Sequence, residues 1–216
     1  MDPVSSAKAP VSPHLLIDWG IAQIVLEGQT VSGDRHLVRA YREGLLVAVV
    51  DGLGHGEEAA TAAEIAISTL RNHIVEPVIP LFNRCHKALK HTRGAAISLA
   101  RLSGSLESMT WLGVGNVEGI LLRADPKAVP PLESIRLFPG VAGFQLPPLH
   151  TVVTPMHPGD LLIFFTDGIR RDFLSEPIPR QSPKLIASRI CEQHSKGNDD
   201  ALVLVARYSP ACNTKQ

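Results

Sequence analysis

Apolar residues run in two uninterrupted blocks, Leu45-Leu46-Val47-Ala48-Val49-Val50 and Leu161-Leu162-Ile163-Phe164-Phe165. Blocks this continuous predict strands covered on both faces. Around them, residues 14–26 read as a first strand bent near Gly20, and residues 35–41 alternate as a second. A Glu43-Gly44 turn joins that second strand to the first block with hairpin-like, antiparallel spacing. Further strands are predicted over 95–102, 108–114, 117–123, 134–138 and 201–208, punctuated by Gly104, by Gly113 to Asn116 and by Asp125-Pro126.

Helical periodicity appears in three places. Residues 57–74 are alanine-rich, with Ala62, Ile65, Ala66, Leu70 and Ile74 near the helical repeat. Glu57 and Glu58 suit the positive end of that helix dipole. A second helix is predicted over 78–90, with Pro77 and Pro80 near its start, and a third over 183–194. A short helical turn is expected at 169–174. Residues 125–149, rich in proline, read as a recognition loop or a tolerated surface insertion, the latter favoured. Residues 1–13 and 209–216 are expected to be loose tails.

The order is strands, two helices, many strands, a helix and a strand. It lacks regular β-α alternation, which argues against a doubly wound parallel sheet and for antiparallel sheets with segregated helices. No repeat, linker or charge block divides the chain. One domain over residues 1–216 is expected, ordered over about 14–208.

Composition narrows the function classes. Lysine plus arginine equals aspartate plus glutamate, 21 each, in 216 residues. No global basic field draws the chain to nucleic acid or anionic lipid. The longest apolar runs are far below the roughly 20 residues of a membrane helix. No basic start with an apolar stretch marks a secretory signal. Cys85, Cys191 and Cys212 are sparse and odd in number, which suits a reducing compartment. Cys191, on a predicted helix, is expected as a small buried hydrophobe. No C-x-x-C or H-E-x-x-H occurs, so zinc is not favoured. A cytoplasmic monomer, with no nucleic-acid or membrane partner, is expected.

The candidate chemistry lies in four turns beside apolar runs: Ser32-Gly33-Asp34, Val50-Asp51-Gly52, Thr166-Asp167-Gly168 and Asn198-Asp199-Asp200. A carboxylate at the edge of a buried strand needs a compensating charge, or it neutralises. Several gathered at strand ends can share one or two divalent cations bound through oxygen. The glycines after Asp51 and Asp167 allow close backbone approach to a ligand. Asp51-Gly52-Leu53-Gly54-His55-Gly56 also suggests a dinucleotide loop. Glutamate stands where the third glycine belongs, however, and Asp51 would face the phosphates.

These stretches resemble the motif series of the metal-dependent PPM, or protein phosphatase 2C-type, serine/threonine phosphatases, in particular the bacterial SpoIIE-like branch. Ser-Gly-Asp-Arg at 32–35, Asp-Gly-Leu-Gly-His-Gly at 51–56, Pro-Gly-Asp-Leu-Leu-Ile-Phe-Phe-Thr-Asp-Gly-Ile at 158–169 and Asn-Asp-Asp-Ala-Leu-Val-Leu-Val at 198–205 occur in that order. The resemblance implies a four-layer α-β-β-α sandwich, α+β in class, with two antiparallel sheets flanked by helices. It also implies two Mn²⁺ or Mg²⁺ ions. Asp51 would bridge them with the Gly52 carbonyl on one, Asp34 completing one site and Asp167 and Asp199 the other. Asp200 would orient its neighbour, support a metal-bound water, or simply cap a turn. His55 is the candidate acid for the leaving oxygen, or else a residue that holds the glycine loop.

A compact chain of this kind is most similar to the stand-alone RsbX-type members. By that resemblance its partners are phosphorylated STAS-type stressosome proteins. Two departures stand out. Residues 21–28 hold no phosphate-gripping arginine, for which Arg35 is a substitute, and Asn116 replaces the aspartate that helps hold a third metal in some relatives. Two other readings stay open: a non-enzymatic phosphoprotein-binding regulator of the same fold, and a metal-dependent hydrolase of small phosphate esters.

Overall fold

The structure, a computed structural model, describes residues 6–11, 15–103 and 107–210. Two six-stranded sheets pack face to face. In the first, the order is β1 (Ser6–Val11), β2 (Leu15–Ile24), β12 (Ala201–Pro210), β11 (Leu161–Phe165), β7 (Glu118–Leu122) and β8 (Leu132–Ser134). In the second it is β10 (Val152–Pro155), β6 (Ser108–Val114), β5 (Ala95–Ser103), β4 (Gly44–Gly52) and β3 (Asp34–Tyr41), with β9 (Leu137–Phe138) beside β6. All pairings are antiparallel except β6 with β9. Helices α1 (Glu57–Asn72) and α2 (Val78–Ala88) cover the second sheet, and α3 (Pro183–His194) covers the first. The four-layer α+β sandwich expected from the resemblance is thus observed.

The two apolar blocks explain the layering. On β4, Leu45, Val47 and Val49 enter the core between the sheets, while Leu46, Ala48 and Val50 pack under α1 and α2. On β11, Leu162 and Phe164 face inward, and Ile163 and Phe165 face α3. Period-2 alternation therefore feeds two cores from one strand, and neither face can be polar. Cys191 is buried in the α3 cluster, as expected.

Several boundaries differ from the sequence reading. Ser6–Val11 pairs with β2 as an edge strand where a loose tail is expected, and β12 runs to Pro210 rather than 208. Residues 1–5, 12–14, 104–106 and 211–216 lie outside the described residues, the expected turn at Gly104 among them. The single strand expected at 134–138 is two, β8 in one sheet and β9 in the other. Ile135 lies between them in the inter-sheet core, so the chain crosses the gap there. β10 escapes sequence reading because it is a short edge strand with Val152 and Val153 exposed. β8 and β9 lie inside residues 125–149, the region read as a recognition loop or insertion.

Gly20 has a different role from the expected bend. β2 runs through it paired on both sides. A Cβ there would stand 2.3 Å from the Lys184 backbone, so the missing side chain is what lets α3 lie against the sheet. Gly20→Ala should therefore lower stability by about 1–3 kcal/mol, the usual cost of overpacking. Urea unfolding checks this: the midpoint should fall, and an unchanged midpoint would contradict so close an approach.

Candidate metal centre

The inter-sheet core ends in carboxylates. The inward row of β4 continues Leu45, Val47, Val49 to Asp51, and Asp51 is the cross-strand partner of Asp34 on β3. From the other sheet, the inward row of β11 continues past Leu162 and Phe164 to Thr166. The inward row of β12 begins at Asp200, ahead of Leu202 and Leu204. Strand alternation thus turns the same faces that build the core into a polar end where the core stops.

Thr166 ties the two sheets together. Its hydroxyl donates to Asp34 Oδ2 at 2.8 Å and accepts from the Leu202 amide at 2.9 Å. Asp34 is only 1% exposed. Asp200 is buried as well, and its two oxygens accept from the amides of Leu26 (2.8 Å) and Gly33 (2.7 Å). It therefore clamps the turn that presents Asp34. Asn116, where the chain passes from β6 to β7, donates to Asp167 Oδ2 at 2.7 Å and lies near enough to Asp51 to favour its charged form. Asp199 accepts from the Asp200 amide at 2.8 Å.

Five aspartates from four separated segments therefore share one end of the sandwich. Burial pushes Asp34 well above the usual carboxylate range, and the charge of Asp51 pushes it further; the Thr166 hydrogen bond opposes this. Burial and then Asp167 raise Asp51 to about 7, against the pull of Asn116. Asp199 is raised by burial too, with the Asp200 amide and His55 acting in the other direction. Among the described residues no arginine or lysine pairs with any of these carboxylates. Their mutual repulsion is left uncompensated by protein cations.

These donors are hard oxygens, which fit Mg²⁺ or Mn²⁺ rather than a thiophilic ion. They do not close into a cage: among the described residues, no group of three or more His, Cys, Asp or Glu stands ready-made around a metal position.

The glycines of the two Asp-Gly turns serve backbone packing more than ligand approach. A Cβ on Gly52 would lie 2.0 Å from the Ala59 carbonyl oxygen, and one on Gly168 would lie 1.9 Å from that of Asp200. The Gly52 amide donates to the Gly33 carbonyl at 3.1 Å, locking the Asp51 turn to the Asp34 turn. His55 is exposed at the rim, close enough to Asp199 for their charges to interact.

Arg35 is already engaged. Its Nη1 donates to the carbonyls of Ser32 (2.6 Å) and Asp34 (2.9 Å), and its Nη2 pairs with Glu64. It holds the Asp34 turn and is not free to grip a substrate. Arg93 instead lies over Gly54, its Nη1 2.6 Å from where a Cβ would stand. Nothing in the sequence singles out Arg93, since it reaches the loop only through the fold. Thr166 and Asn116 were visible inside or beside motifs, but their partners come from the other sheet.

The carboxylate set makes stability depend on pH. A carboxyl held at about 7 in the folded chain, against 3.8 ordinarily, binds its proton more tightly folded than unfolded. Its stabilising contribution is full below about 4 and is lost as pH rises through about 7. In EDTA the melting temperature should therefore fall between pH 5 and 8, and Mn²⁺ or Mg²⁺ should restore it. A flat profile in EDTA would contradict the uncompensated cluster.

A family model described as Stage II sporulation protein E (SpoIIE) matches residues 42–209. Phosphoserine phosphatase RsbX of Bacillus subtilis (strain 168) is 27% identical over 190 residues, spanning 88% of this chain and 94% of that protein. A crystal structure of RsbX in complex with magnesium superposes with a TM-score of 0.80 at 26% identity, covering 96% of this chain and all of the other. A chain from "The bacterial stressosome: a modular system that has been adapted to control secondary messenger signaling" also gives 0.80, at 30% identity, covering 88% and 99% respectively.

Proposed function

The chain belongs to the SpoIIE family of PP2C-type metal-dependent phosphatases, and on that premise we propose that it removes phosphate from phosphoserine or phosphothreonine on bacterial stress-signalling proteins, STAS-type stressosome components among them. One observation carries the reading: carboxylates from four segments meet without a protein cation at the end of the inter-sheet core. The Bacillus subtilis relative, named a phosphoserine phosphatase, supports the reaction class, and the stressosome neighbour supports the substrate class.

The residues take the following roles in this proposal. Asp51 and the Gly52 carbonyl would help hold two divalent ions, Asp34 serving one and Asp167 and Asp199 the other. When bound, such a pair supplies positive charge against the developing phosphoryl charge and makes water a better nucleophile near neutral pH. Asp200 and Arg35 hold the Asp34 turn through its backbone. Asn116 holds the Asp167 carboxylate by its amide and stands where some relatives have an aspartate that helps hold a third metal. His55, at the rim beside Asp199, hands a proton to the departing serine or threonine oxygen.

The acid role separates two substrates. p-Nitrophenolate leaves without a proton, whereas a serine alkoxide does not. His55→Ala should slow phosphate release from a phosphoserine peptide on the order of 10²-fold or more and leave p-nitrophenyl phosphate turnover nearly unchanged. Asp51→Asn should slow both on the order of 10²–10³-fold, by analogy with loss of one preorganised electrostatic group. Mn²⁺-dependent phosphate release from both substrates measures this. A wild-type chain inactive with Mn²⁺ but still binding a phosphorylated STAS protein would favour the non-enzymatic reading instead.

A further inference from the structure

The carboxylates occupy one end of the first sheet, and a cavity occupies the other. Leu122, Leu161 and Arg207 form one cross-strand row, with Leu161 paired to both neighbours. The outward residues of β12 read Val203, Val205, Arg207, and the two valines pack under α3. Gly20, which abuts Pro183 and Lys184 at the start of α3, pairs with Val205. Arg207 therefore lies just beyond the helix, where the sheet loses its cover.

Residues 178–180 roof this uncovered corner and leave a cavity of about 430 Å³. Leu122, Leu161, Ile178 and Pro179 supply apolar walls, and Arg123, Arg180 and Arg207 supply charge. No carboxylate among the described residues lines it. Arg123 is paired with both Asp160 at 2.8 Å and Glu133, which together carry one charge more than it does, so the cavity's uncompensated positive charge comes from Arg180 and Arg207. Arg207 donates to the Gln181 carbonyl but has no carboxylate partner, and Arg180 makes neither ion pair nor hydrogen bond among the described residues. Arg35, Arg84, Arg93, Arg170, Arg171 and Arg189 each pair with a carboxylate; Arg39, Arg42, Arg71, Arg101 and Arg136, like Arg180 and Arg207, have no carboxylate partner among the described residues, but they do not line this cavity.

Two guanidinium groups without counter-charge, facing an apolar-walled cavity of ligand size, match an oxyanion on an apolar body. We propose that this cavity binds a small organic anion, a phosphate, sulfonate or carboxylate on an apolar body. The oxyanion sits between Arg180 and Arg207, and the body rests on Leu122, Leu161 and Ile178. The seven residues of β12 from Ala201 to Arg207 separate this site from Asp200 by about 20 Å at the usual rise per residue.

The probe is 1-anilinonaphthalene-8-sulfonate, titrated into the full chain in EDTA and followed by fluorescence and by amide chemical shifts. One saturable site is expected, with shifts at residues 122–124, 159–161, 178–180 and 207. Arg180→Glu and Arg207→Gln should each raise the Kd at least about tenfold, or 1.4 kcal/mol, and Arg180→Glu should leave p-nitrophenyl phosphate turnover unchanged. Arg180 is exposed, so its variant keeps the test decisive if Arg207→Gln fails to fold. Absence of saturable binding, a Kd indifferent to Arg180→Glu, or shifts at the carboxylate end would each overturn the proposal.

Discussion

Repulsion among buried and half-buried carboxylates is the constraint around which this fold is arranged. Asp34 and Asp51 face each other across one strand pair, and Asp167, Asp199 and Asp200 approach from the other sheet. Burial and like charge both favour the neutral acids, and no arginine or lysine relieves them. What keeps the group together is neutral hydrogen bonding: Thr166 on Asp34, Asn116 on Asp167, and two backbone amides on Asp200. Each is a contact between segments distant in sequence. The site is thus as well formed as the packing of the two sheets, and no better.

That dependence explains why so much of the packing is close. Gly52 lets the Ala59 backbone approach the Asp51 turn, Gly168 lets the Asp200 backbone approach the Asp167 turn, and Gly20 lets α3 lie against β2. None of these glycines needs an unusual backbone conformation. Each marks a place where a methyl group would push two elements apart, and two of the three sit next to a candidate ligand. Stability and site geometry are therefore the same property here, expressed at different residues.

Much of this was legible in the chain. Two continuous apolar blocks predicted doubly covered strands, and the structure divides their side chains between two cores as that pattern requires. The ordered aspartate turns and their flanks carried the family resemblance, and the family is the one matched. The harder features were those with weak local signal. β10 is short and exposed, β1 lies in a polar, proline-containing stretch, and residues 134–138 divide between sheets because Ile135 crosses the core. Arg35 looked like a phosphate anchor because residue type is visible and hydrogen-bond partners are not; its guanidinium is spent on Ser32, Asp34 and Glu64. Asn116 read only as a missing acid, while its amide donates to Asp167.

On the proposed reading, two divalent ions supply the charge that the protein withholds from its own carboxylates, and Asp51 helps hold both. Crystals grown with Mn²⁺ and measured at the manganese absorption edge test this directly. The account predicts two anomalous peaks flanking Asp51, one toward Asp34 and one toward Asp167 and Asp199. A single peak remote from Asp51, or none at all with Asp34 and Asp51 well ordered, would contradict it.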